Sequence, residues 1–497
     1  MSRVSLPSPW LHGIGRAVVV AGAATGLVLG AGRLSAAPTQ PRTPAALPSV
    51  PTSLTTSYCP GDPFAAGEKG TPKADVRGSV VAHAAPPAVL DGVVTPSDDP
   101  GEITIEDLGA TPQGSTDEKP RSGPMSESVD RLDQHPQRVR GNAERAPGLL
   151  AAQGFVASGK QVSGLAATPC LAPTADAWLM AGGGAEGRQE RLVLANPGGN
   201  PVTVRLDLVG TAAADSADRS IVVPAHGRSV VLLDAIGGTK QAQAVHVTTT
   251  GGLVVPTIVD HHLDGLTPAG VEAVSPTAAP AERLVLPGSA DVSGSADATA
   301  RGVVLAVPGS RDAVVQIRRL GEGASRGVKV VTVPADTVVD VDLPDVSGVQ
   351  GWVVESDEPV VAAAHLSTTD AAGRSDMAWS VATPSVGSLG GAALPAVPAG
   401  GVRRFVDVTA SAGPASVDVL LLEDGEVRTE RLDIEQDRSA QVDARRASAV
   451  WVRPSRGKVH AAVMISSGPG AERAAATSLP VLPVRVAVRD RPVTLVR

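Results

Sequence analysis

The chain has 497 residues, with 43 Lys and Arg against 51 Asp and Glu, for a net charge of −8. At roughly 150 residues per domain there is room for about three domains, and 42% apolar residues can build packed cores, which excludes wholesale disorder. The acidic balance lacks the broad basic face that DNA or RNA demands, so no nucleic-acid partner is expected.

Arg3 and Arg16 precede an uncharged apolar run, residues 17–32, that ends at Arg33. The run is shorter than the ~20 residues of a full membrane span and fits a signal-peptide core or a short signal anchor. Residues 1–37 are therefore expected to direct export, and to hold the chain at the membrane if they stay uncleaved. Without their three arginines the balance falls from −8 to −11, which opposes binding to anionic lipid by charge alone. Residues 38–53 are Pro-rich and read as an extended stalk.

There are two cysteines, Cys59 and Cys170. In an oxidising compartment a disulfide is the default for a lone pair, and closing so long a loop is worth about 4–5 kcal/mol by chain entropy. Two free thiols are the alternative. Residues 54–177 hold weak strand signals (VRGSVVAHA, PAVLDGVV, EITIEDLG) and are expected to form a partial sandwich closed by that bridge. Within them, 111–148 is polar and of mixed charge and reads as a mobile excursion.

After Trp178 short β-branched runs alternate with Gly, Pro, Asp and Ser clusters, which is the signature of strands. Three stretches are alike: 178–280, 281–385 and 386–497. RLVLANPGGNPVTVRLDLVG, RGVVLAVPGSRDAVVQIRRLG and RRFVDVTASAGPASVDVLLLEDG open their strand series. Pro197 and Pro308, and Pro224 and Pro334, occupy matching places. A spacing of about 110 residues is too long for a solenoid and suits small sandwich domains. The expected fold is all-β, with tandem immunoglobulin-like β-sandwich repeats behind the N-terminal segment. A β-propeller is the alternative, although its blades repeat every 40–50 residues.

Motifs for chemistry are weak. Gly154–Gln161 nearly matches a P-loop, but Gln161 stands where Mg²⁺ needs Ser or Thr. Asp260, His261, His262 and Asp264 are the densest set of metal-ligand types, yet neighbours on a strand point to opposite faces, so a polar turn is the plainer reading. The Asp- and Ser-rich 287–297 lacks calcium-loop spacing. No Gly-x-Ser-x-Gly elbow occurs. Trp178, Trp352, Trp379, Trp451 and Phe405 could offer a sugar platform, but their repeated placement favours packing. No catalytic residue, cofactor or metal site is expected.

Cys170-Leu-Ala-Pro-Thr-Ala-Asp-Ala-Trp178, then LMAGG, LVLANPG at 192–198, Tyr58-Cys59-Pro60-Gly61 and LVLPG at 284–288 resemble the actinobacterial domain-of-unknown-function 5719 family of exported proteins. The resemblance covers about 54–490. It implies a β-rich, membrane-proximal, extracytoplasmic protein in which Cys59 pairs with Cys170, and it brings no activity. The long polar stretch 111–148 departs from the family pattern. The combined expectation is a non-catalytic accessory or scaffold protein of the cell envelope, partnered by an envelope-assembly membrane protein or by glycan. A carbohydrate-binding module is the runner-up and a cryptic hydrolase the third reading.

Overall fold

Val202, Val204, Leu206 and Leu208 are buried on the strand Val202–Val209, while Thr203 and Arg205 point to solvent, as period-2 alternation dictates. The computed structural model describes residues 49–489, apart from 66, 69, 110–120, 124, 211–218, 238–241, 289–299, 324–325, 345–350, 371, 397–400 and 468–472. The apolar run 17–32, residues 38–48 of the Pro-rich stretch and most of 287–297 lie outside the described residues. Among the described residues, no helix is long and apolar enough to cross a membrane.

The second unit displays the plan most clearly. Its eight strands are Asp176–Ala181, Arg188–Asn196, Val202–Val209, Ser220–Val223, Gly227–Leu232, Gln243–Thr250, Val255–Asp264 and Thr267–Val274. Numbered one to eight within the unit, they form two antiparallel sheets, ordered 1-6-3-4 and 5-2-7-8. Leu179, Leu192, Leu194, Val204, Leu206, Val245, Val247 and Ile258 fill the space between the sheets. The fourth unit repeats this order from Gly390–Ala393 to Ala476–Pro480. In the third unit one long strand, Gly351–Thr369, serves as both strand six and strand seven, so seven strands make a continuous half-barrel.

The region before residue 177 is a full copy, which corrects the expectation of a partial sandwich. Its strands are Leu54–Cys59, Asp75–His83, Ile103–Asp107, Arg121–Gly123, Ser126–Val129, Gln137–Asn142, Leu150–Ser158 and Gly164–Pro169, in the same two-sheet order. The expected mobile excursion 111–148 supplies three of them; only 110–120 and 124 lie outside the described residues. In Gln137–Asn142 the positions alternate buried and half-buried, with Val139 in the core and Arg138 and Arg140 on the other face. A polar composition masked a period-2 pattern.

The all-β expectation is met, with two-sheet sandwiches in three units and a half-barrel in the third, but the immunoglobulin-like order is not seen. In the ABED sheet of that fold the first two strands are neighbours; here strand one pairs with strand six. Nor is each unit a four-stranded propeller blade, since three units have two four- or five-stranded sheets and the third has one of seven strands.

Instead of forming a string, the four units close on one another. The edge strand that ends each unit, strand eight, packs against its counterparts: Gly164–Pro169 against Thr267–Val274, that against Ser375–Val381, that against Ala476–Pro480, and the last against the first. Apolar contacts complete each junction. Phe64, Phe155 and Ala166 meet Val193, Val259 and Val271 between the first and second units. Val304, Ala306 and Trp379 join the core of the second. Leu366 and Ala378 meet Met464 and Ala476 between the third and fourth. Leu90, Leu150 and Ala152 meet Leu389, Leu420 and Trp451 where the fourth meets the first. Residues 50–488 thus form one compact body.

Candidate functional site

Polar side chains buried between the units carry the chemistry of this molecule. At the centre, where four edge strands meet, each would leave unpaired N–H groups. Asp376, fully buried, answers for all four. Its Oδ2 accepts from the backbone N–H of Leu165 (2.8 Å) and Ala476 (3.0 Å), and its Oδ1 from Val271 (3.2 Å) and Met377 (2.9 Å). Burial pushes its carboxyl up to about 8, against the pull of these N–H donors. Close approach here requires glycine: a Cβ on Gly164 would stand 2.2 Å from Asp376 Oδ1, and one on Gly270 2.6 Å from Met377 N. Glu272 forms a second tie, accepting from Thr477 Oγ1 (2.8 Å) and Ser478 N (3.3 Å), while Thr477 Oγ1 accepts from Ala167 N (3.0 Å). Burial raises Glu272 well above the usual carboxylate range.

Ions at the junctions are also paired. Asp260 accepts from Arg188 Nε (2.9 Å) and Nη2 (2.5 Å) and from Trp379 Nε1 (2.8 Å), joining the second and third units. Arg191, fully buried, donates to Pro63 O (2.8 Å) and Glu68 (3.1 Å) and lies over the Phe64 ring, tying the second unit to the first. Arg283 and Arg318 both bond Glu355 and Asp437 across the third and fourth. Glu190, buried beside Asp260 and accepting from Gly183 N (2.7 Å), is pushed up to about 8 by burial. Asp407 in the fourth unit is fully buried, accepts from Gln441 Nε2 (2.9 Å), and leaves Oδ2 without a partner; burial pushes it up to about 8.

One concavity stands apart. A pocket of about 600 Å³ opens where the first and fourth units meet, lined by His83, Ser126, Glu127, Ser128, Arg404 and Arg446 with the apolar Val81, Leu394 and Ala396. This is within the usual size range of small-molecule sites. His83 and Ser126 face each other across neighbouring strands, with Nδ1 and Oγ 3.0 Å apart. Burial pulls the imidazole down to about 4, so it is neutral at physiological pH. Among the described residues no carboxylate bonds His83, so the pair lacks the orienting acid of a hydrolytic triad. Arg404 is fixed by Ala447 O and Pro395 O, each 2.9 Å from a guanidinium nitrogen.

The residues singled out in the sequence are distributed as follows. Cys59 and Cys170 form a disulfide, with Cα atoms 4.3 Å apart, inside the core of the first unit. Asp260, His261, His262 and Asp264 lie on one strand rather than in a turn: Asp260 faces Arg188, while His261 packs edge-on to Phe64 at 5.8 Å. Among the described residues no three His, Cys, Asp or Glu gather in metal-holding geometry. Gly154–Ser158 is the end of a strand, not a phosphate loop. Trp352, Trp379 and Trp451 are buried; Trp178 is half-buried and stacks on His246 with 4.3 Å between rings. Sequence reasoning missed Asp376, Glu272 and Arg404. The first two could have been noticed as lone acids inside apolar strands.

A model of a family of unknown function, DUF5719, matches residues 128–445, more than half of the chain. The chain belongs to the DUF5719 family. The matched stretch begins in the fifth strand of the first unit and ends beside the pocket in the fourth, so the family pattern reaches all four units but takes in only Ser128 of the first unit's side of the pocket. It includes Cys170, Asp376 and Arg404 and leaves out Cys59 and His83. No curated protein matches the chain.

Proposed function

We propose that the protein is a non-catalytic, extracytoplasmic accessory or scaffold protein of the cell envelope, held at the membrane by residues 1–37 if they stay uncleaved. The single observation that carries this reading is the ring: the buried ionisable side chains of Arg191, Asp260, Glu272 and Asp376 are each spent on joining one unit to the next, which makes a rigid body for holding partners. The Cys59–Cys170 disulfide fits an oxidising compartment, and the apolar run 17–32 after Arg3 and Arg16 fits an export signal. We read 54–177, 178–280, 281–385 and 386–497 as four tandem units behind the stalk 38–53.

The second reading is a carbohydrate-binding module for envelope glycan, and the pocket between the first and fourth units favours it. Affinity capture of the tagged, full-length protein from crosslinked native membranes separates the two. The scaffold reading expects reproducible recovery of one membrane protein of envelope assembly. Recovery of glycan without protein would overturn it in favour of the module.

A further inference from the structure

Arg404 differs from the other arginines at the junctions. Arg188, Arg191 and Arg283 each have a carboxylate; among the described residues Arg404 has none. Two of its five N–H donors are spent on backbone carbonyls, and its Nε, like those of Arg191 and Arg283, is buried without a partner. A guanidinium stays charged under all ordinary conditions, although burial lowers the pKa here. A partly desolvated cation held rigid and left without an anion costs stability, and its planar fork matches carboxylate or phosphate oxygens.

The rest of the lining narrows the ligand further. Ser126 and Ser128 present exposed hydroxyls. Glu127 pairs with Ala82, so its side chain points to the strand face opposite Ser126 and Ser128. Arg446 is occupied by Asp424. Val81 and Leu394 give an apolar wall that suits the C–H face of a sugar ring. We propose that this pocket binds an acidic sugar, its carboxylate or phosphate on Arg404 and its hydroxyls on Ser126 and Ser128. This subsite is independent of the scaffold reading: capture of a membrane protein can fail while sugar binding succeeds, and the reverse.

The test is calorimetric titration of the full exported chain with glucuronate, glucose 6-phosphate, glucose, and sodium chloride at matched ionic strength. The expected result is saturable binding of one or both acidic sugars and none of glucose or chloride; which acid binds identifies the oxyanion. Arg404→Gln should weaken binding about tenfold or more, the loss of a charged hydrogen-bonded contact. The Ser128→Ala variant, which alters an exposed hydroxyl, should weaken it several-fold with an unchanged melting temperature, and it decides the matter if Arg404→Gln fails to fold. Absence of binding by either acid, equal binding of glucose, or unchanged affinity in the folded variants would overturn the proposal.

Discussion

The central seam and the pocket at the closing junction both enclose ionisable groups between units, and they treat them in opposite ways. At the seam Asp376 is surrounded by four backbone N–H groups drawn from all four units. At the pocket Arg404 touches two carbonyls and no acid among the described residues. A buried polar group with its hydrogen bonds satisfied specifies how parts fit together, whereas one left short is a cost the fold alone does not explain. The contrast assigns structure to the seam and recognition to the pocket.

The sharpest way to break that contrast is Asp376→Ala. It strands four buried N–H groups, each worth about 1–3 kcal/mol when left unpaired, so we expect a loss of roughly 4 kcal/mol or more in denaturant unfolding. A loss below about 1 kcal/mol would remove the seam from the account.

The next effect is pH dependence at Asp407. Its folded pKa, about 8, lies above the ordinary 3.8 because of burial, so between those values the native state holds a proton that the unfolded chain releases. Stability from this group is full below about pH 4 and is lost as pH rises towards 8, at up to about 1.4 kcal/mol per pH unit. Asp407→Asn mimics the protonated acid and should flatten the fall measured by urea midpoints at pH 5, 6.5 and 8. An equal fall in the variant would assign the slope to other groups.

The smallest effect is expected at Arg404. Arg404→Met, without ligand, removes two bonds to carbonyls but also an unpaired charge, and these offset to within about 1 kcal/mol. A loss of 3 kcal/mol or more would mean that this arginine is structural, like Arg188.

The sandwiches were legible in the sequence wherever one face is wet. VTVRLDLV alternates cleanly and forms the strand it predicts. The ring was not legible, because strands covered on both faces stop alternating: Leu192–Ala195 and Val303–Val307 are buried throughout. Those continuous runs were the available signal that each sandwich is packed from outside as well as within. The first unit was undervalued because its core strands carry arginines on one face, as in Gln137–Asn142. Arg404 was invisible for a related reason. RRFVDV reads as a surface strand, and only the closing of the first unit on the fourth turns it towards a pocket.

The claim beneath all of this is that four sandwiches fold as one body. Scanning calorimetry of residues 50–488 within the intact, oxidised chain tests it most directly. The account predicts one transition whose calorimetric and van 't Hoff enthalpies agree. Several separable transitions, one for each sandwich, would contradict it.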